Sequence, residues 1–177
     1  DMGTMKHSSP VEQPIFNEAN QLYEGATVFS MPSGDMGSWK LIVKVDEEEI
    51  SMNINVKAAP ANTKYTGTFK GADGISYTLS LIEPKSSKIG INDLLILVNR
   101  KENMMSFPAA DGLSFEITTE MPSMGHGSPN NVNPVFIANG RYAGKVNFTM
   151  TGDWRIHFKV KKGETVIAED YALDLLF

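Results

Sequence analysis

The stretch Lys145-Val-Asn-Phe-Thr-Met150-Thr-Gly-Asp-Trp154-Arg-Ile-His-Phe-Lys-Val160 decides how this chain folds. Val146, Phe148 and Met150 alternate with Lys145, Asn147 and Thr149. Trp154, Ile156, Phe158 and Val160 alternate with Arg155, His157, Lys159 and Lys161. A period of two lays the apolar set on one face of a strand and the polar set on the other, which is no helical pattern. Thr151-Gly152-Asp153 between the runs is a short turn, so they read as a hairpin closed by Met150 and Trp154.

Working outward, the same text recurs upstream. Met2-Gly-Thr-Met5-Lys-His7-Ser-Ser-Pro10 returns as Met121-Pro-Ser-Met124-Gly-His126-Gly-Ser-Pro129, and Ala19-Asn20, Tyr23, Gly25 and Phe29-Ser-Met31 return as Ala138-Asn139, Tyr142, Gly144 and Phe148-Thr-Met150. Trp39-Lys-Leu-Ile-Val-Lys-Val45 then matches Trp154 to Val160, so the hairpin is expected again over Thr27 to Met31 and Trp39 to Val45. The copies are unequal, because Asn62 to Thr119 has no counterpart ahead of the first.

Further strands are expected over Lys64–Lys70, Ser76–Glu83, Asp93–Asn99, Ser114–Thr119 and Val166–Leu176, with a counterpart of the last at Ile50–Val56. Turn-forming runs such as Gly71-Ala-Asp-Gly74 and Ala109-Ala-Asp-Gly112 separate them. The expectation is an all-β chain: an immunoglobulin-like antiparallel β-sandwich at 61–177, preceded over 1–60 by the C-terminal half of another copy.

Composition narrows the function classes. The 177 residues carry 16 basic and 21 acidic side chains, a net charge of −5, and the lysines are scattered, so no phosphate-neutralising patch points to nucleic acid. With no cysteine there is neither a disulfide framework nor a thiolate metal site. The longest apolar run, Leu94–Val98, is far short of the ~20 residues a membrane-spanning helix needs. The chain opens without an initiator methionine or a signal-like segment, which reads as removal of a leader or a start inside a longer protein.

The repeated Met-x-x-Met-x-His carries the only distinctive chemistry. Thioethers are soft, neutral ligands that favour Cu(I), and imidazole accepts either copper oxidation state, so Met121, Met124 and His126 form one candidate metal site and Met2, Met5 and His7 the other. Met150 and Met31, beside their tryptophans, are candidate further sulfurs, and Gly125 and Gly127 would let the loop turn tightly. Trp154 could lay its ring face over the ion. The other reading stays open: the methionines plug the end of the sandwich and His126 fixes the loop through a carbonyl. Met36 is the candidate for an exposed thioether in the first copy, whereas Met52, Met104 and Met105 read as packing and His157 as a surface residue.

Lys88-Ile-Gly90-Ile-Asn92-Asp-Leu-Leu-Ile-Leu-Val98, Met121-Pro-Ser-Met124-Gly-His126-Gly127, Gly140-Arg-Tyr142-Ala-Gly144 and Phe148-Thr-Met150-Thr-Gly152-Asp-Trp154 together resemble the ordered signature of YtkA-like domains, relatives of the FixH group. The resemblance covers Asn62–Phe177 and, for its C-terminal half, Asp1–Ala59. It implies small immunoglobulin-like sandwiches exported to the bacterial envelope or periplasm, frequently as lipoproteins and often in a copper or respiratory-oxidase setting. A copper ion or an envelope protein is the partner it implies.

Nothing in the sequence carries catalysis. The nucleophile elbow, the phosphate-cradling loop and the His-Glu-x-x-His motif are all missing, and the three histidines are few for a catalytic centre. Asp46-Glu-Glu-Glu49 reads as a solvated hairpin tip. The expected class is therefore a non-enzyme: a copper-binding accessory protein, or a structural or protein-interaction module whose Met/His loop is inert. A truncated first copy would leave a sheet edge or face open, so pairing into a homodimer is also expected.

Overall fold

Alternating residues become strands wherever one face can be buried. The structure, a computed structural model, describes residues 6–35 and 37–177, and its described elements are all strands. They run β1 (Ile15–Asn17), β2 (Leu22–Glu24), β3 (Trp39–Val45), β4 (Glu48–Ile54), β5 (Thr66–Lys70), β6 (Ser76–Glu83) and β7 (Gly90–Lys101). Then come β8 (Leu113–Met121), β9 (His126–Gly127), β10 (Val132–Ala138), β11 (Arg141–Phe148), β12 (Asp153–Lys162) and β13 (Thr165–Leu176).

Nine of these build an antiparallel β-sandwich. One sheet has the order β10-β11-β7-β6-β5 and the other β13-β12-β8-β9. Inward residues of both meet in a single core: Tyr77, Leu79, Leu94, Ile96 and Phe148 from the first, Phe115, Trp154, Ile156, Phe158 and Leu173 from the second. Tyr142 is fully buried; its hydroxyl donates to Ala110 O at 2.7 Å and accepts from Leu113 N at 3.1 Å, which satisfies a polar atom in the apolar interior.

The expected hairpin at the decisive stretch does not form. β11 pairs with β7 and β10, while β12 pairs with β13 and β8, so Thr151-Gly152-Asp153 carries the chain from one sheet to the other. The alternation was right and the pairing wrong, because both runs point their apolar residues at the same core from opposite sides: Phe148 and Trp154 touch ring to ring, centroids 5.2 Å apart. The hairpin expected over Thr27–Met31 and Trp39–Val45 does not form either: Thr27–Met31 is not a strand, Thr27 makes an isolated bridge to Val11, and among the described residues β3 pairs with β4 alone.

The N-terminal region forms two two-stranded ribbons, β1-β2 and β3-β4, with no counterpart of β5–β8 among the described residues. It is tied to the sandwich by Ser8 N donating to Met104 O at 2.8 Å. The Arg141 guanidinium also grips the buried Glu12 carboxylate in two places, Nε to Oε1 at 2.6 Å and Nη2 to Oε2. That two-pronged geometry holds direction as well as charge.

Candidate functional site

The Met121 to His126 segment closes one end of the sandwich. Met121 ends β8 and His126 opens β9, and the two stand directly opposite in register. Opposed residues bring their Cβ atoms within about 5.5 Å. Met124 N and Gly125 N both donate to Met121 O, at 3.0 and 2.8 Å, and Gly125 takes φ +65°, a left-handed turn that suits a residue without Cβ. At Gly127 a Cβ would run into Thr119 O, so close backbone approach requires this glycine too. Gly125 thus makes the tight turn the sequence suggested, whereas Gly127 serves strand packing instead.

Within this turn the candidate ligands separate by burial. Met121 is 5% exposed and belongs to the core, with its methyl seated where any side chain at Gly152 would go. Met124 is 60% exposed. Met150 is half-buried against the core, and its carbonyl accepts the Trp154 indole N–H at 3.0 Å. His126 lies edge-on to Trp154, centroids 5.9 Å apart at 71°.

The histidine is held in a defined way. His126 Nδ1 lies 3.2 Å from Gly127 O. A carbonyl can only accept, so Nδ1 carries the hydrogen and the neutral ring keeps its lone pair on Nε2. Among the described residues Nε2 meets no protein partner. An imidazole fixed through Nδ1 with Nε2 free is the usual posture of a metal-ligating histidine. Asp153, just before Trp154, clasps the loop from below, accepting from Ser123 N at 3.0 Å and from the Ser123 hydroxyl. The Ser123 hydroxyl is the main cause that holds the Asp153 carboxyl below its ordinary value.

The N-terminal region makes several matching contacts around Trp39. His7 lies edge-on to Trp39, centroids 5.7 Å apart at 88°, with Nδ1 3.0 Å from Ser8 O. Trp39 donates its indole N–H to Met31 O at 2.9 Å, and Phe29 packs on Trp39 as Phe148 packs on Trp154. Met31 is half-buried. Met2, Met5 and Met36 lie outside the described residues. A cavity of about 680 Å³ opens beside this tip, lined by His7, Phe29, Trp39, Leu41 and Met105 among others.

A second polar cluster escaped the sequence reading. His157 stands on the outer face, as alternation required, but bridges its neighbours: Nδ1 lies 2.8 Å from Asp170 and Nε2 3.1 Å from Glu120. Only the register of β12 between β8 and β13 brings these carboxylates to it, and the sequence did not display that register. Among the described residues no three His, Asp or Glu side chains are placed to hold a metal ion. Met104 and Met105, expected as packing, are 43% and 64% exposed.

A family model described as YtkA-like matches residues 69–159, which takes in β6 to β11, most of β12 and the whole Met121 to Trp154 tip. No curated protein and no solved structure matches the chain.

Proposed function

The chain belongs to the YtkA-like family, and from that premise we propose that it is a non-catalytic accessory protein of the bacterial cell envelope that binds Cu(I) at its histidine–tryptophan tips. One observation carries this reading: an imidazole is pinned through Nδ1, its Nε2 without a partner among the described residues, edge-on to a tryptophan, at both His126 and His7. At the second tip the accessible donors are His126 Nε2 and the exposed thioether of Met124, a soft set suited to Cu(I) and poorly suited to hard cations. Met121 serves the fold first, sitting opposite His126 and buried in the core.

Residues 1–60 are, in the same reading, the C-terminal half of a second YtkA-like unit. The matched contacts around Trp39 and Trp154 support this, as does Phe16 packing on Tyr23 the way Phe136 packs on Tyr142, at 5.2 and 5.5 Å.

Anaerobic titration of Cu(I) against a chromophoric chelator, with tryptophan emission followed in parallel, tests the metal reading. Binding is expected with quenching. A Met124→Ala, His126→Ala double variant should weaken the second site by about tenfold or more, since loss of outer partners alone costs that much elsewhere. No uptake by the unaltered chain, or uptake unchanged in the double variant, overturns it in favour of an interaction module with an inert loop. The burial of Met121 is the observation that favours that second reading.

A further inference from the structure

In the complete unit β12 is covered twice, its apolar face by the opposite sheet and its outer edge by β8. Beyond Trp39, which is buried against His7 and Phe29, β3 has neither cover among the described residues. Register places Trp39, Leu41 and Val43 opposite Ile54, Met52 and Ile50, so one face of the ribbon is apolar up to Val45, whose partner is Glu48. Val45, Ile50 and Met52 are 57%, 52% and 43% exposed, whereas Val160 and Leu173, at the places of Val45 and Met52, are fully buried. A two-stranded ribbon with such a face is marginal alone, and a free edge is a template for another strand.

The covered copy shows what fits. Along β8, Leu113, Phe115 and Ile117 alternate with Ser114, Glu116 and Thr118. Its acids meet the basic outer side of β12, Glu116 with Lys161 and Glu120 with His157, while Glu120 stands opposite Arg155 in register. β3 presents Lys40 where β12 presents Arg155, and among the described residues Lys40 has no ion pair. β8 also leads straight into the turn that seats His126 on Trp154, and the His7 segment holds that seat on Trp39.

We propose that the free edge of β3 takes up an acidic amphipathic β-strand of the β8 kind, supplied by the same polypeptide from the N-terminal side of the His7 segment. The strand sets an acid opposite Lys40 and an aliphatic residue opposite Val43, and its sheet seals the open face. This rests on residues 1–60 being half a YtkA-like unit.

The test fuses a second copy of residues 62–119 in front of Asp1 of the 177-residue chain, so that Asp1 takes the place of Glu120, and follows amide exchange of residues 39–54 by mass spectrometry. Exchange is expected to slow by about tenfold or more relative to the unfused chain, with a monomeric mass. An Asp1→Lys change in the fusion, at the place Glu120 holds opposite Arg155, should give back part of that slowing. Unchanged exchange overturns the proposal. So does an unfused chain already protected through a concentration-dependent dimer, which would make a second copy the occupant. If the fusion does not fold, a peptide of residues 112–121 added in trans takes its place, with the same slowing expected and unchanged exchange again overturning the proposal. The nuclear Overhauser contact between His7 and Trp39 separates the two failures: its absence removes the half-unit reading, while its presence without strand uptake overturns only the docking.

Discussion

Trp154 and Trp39 each donate an indole hydrogen bond to a methionine carbonyl and each carry a histidine on one edge, yet the ribbon behind Trp154 is sealed and the ribbon behind Trp39 lies open to water. The difference separates what a tip needs from what a fold needs. The His–Trp–Phe contacts join three short segments, at residues 126, 148 and 154 in one place and 7, 29 and 39 in the other, and around Trp39 they stand without a two-sheet core among the described residues. Burial is not local: Trp154, Ile156 and Phe158 are hidden because β6 and β7 lie across from them. The shared tip is therefore where function is to be sought, and the unshared core is where stability resides.

Tryptophan truncation should break this comparison most sharply. Trp154 is 1% exposed within the core, so Trp154→Ala should cost about 3–5 kcal/mol and threaten folding of the sandwich. Trp39→Ala should leave the sandwich's denaturant midpoint within about 0.5 kcal/mol, because its ribbon contributes nothing to that core. Urea unfolding followed by far-ultraviolet circular dichroism reads both. Equal losses would mean that the halves unfold as one unit.

A smaller effect separates the paired tyrosines. Tyr142→Phe leaves Ala110 O and Leu113 N without their buried partner, which should cost about 1–3 kcal/mol. Tyr23, its counterpart, is exposed, so Tyr23→Phe should change stability by less than about 0.5 kcal/mol. The same unfolding curves decide it, and a costly Tyr23→Phe would show that the N-terminal region is covered in solution.

What the sequence displayed was periodicity, and periodicity fixes faces. β6 runs over Ser76–Glu83 as expected, and β7, β8 and β13 differ only at their ends, because each has a long alternating or buried apolar run. β10 was missed: Pro134 interrupts it and Val135, Phe136 and Ile137 all remain exposed, so no face is marked. Pairing was misread at Thr151-Gly152-Asp153 because alternation says which side faces the core and nothing about which sheet a strand joins. At the site, the residue types were legible and their burial was not. Met121 and Met124 look alike in a Met-x-x-Met motif, and only the turn after β8 sends one inward and the other outward.

The smallest contrast lies under the two histidines. Trp154 is preceded by Asp153, which clasps Ser123, whereas Trp39 is preceded by Ser38. The Ser123 hydroxyl keeps the folded Asp153 carboxyl below its ordinary value. A group depressed in this way supports the folded arrangement above its unfolded pKa, about 3.9, and that support is lost as pH falls through the folded value. The Ser123 amide resonance should accordingly hold steady from neutral pH down to about 4 and move below it. In Asp153→Asn it should be shifted throughout and indifferent to that titration, with the loop's amide exchange faster at neutral pH. The backbone around His7 has no carboxylate at the matching position and should show no such step from it. If the Ser123 resonance is equally flat in both proteins, the carboxylate does not hold the His126 loop, and the loop's order comes from the Met121 carbonyl and Gly125 alone.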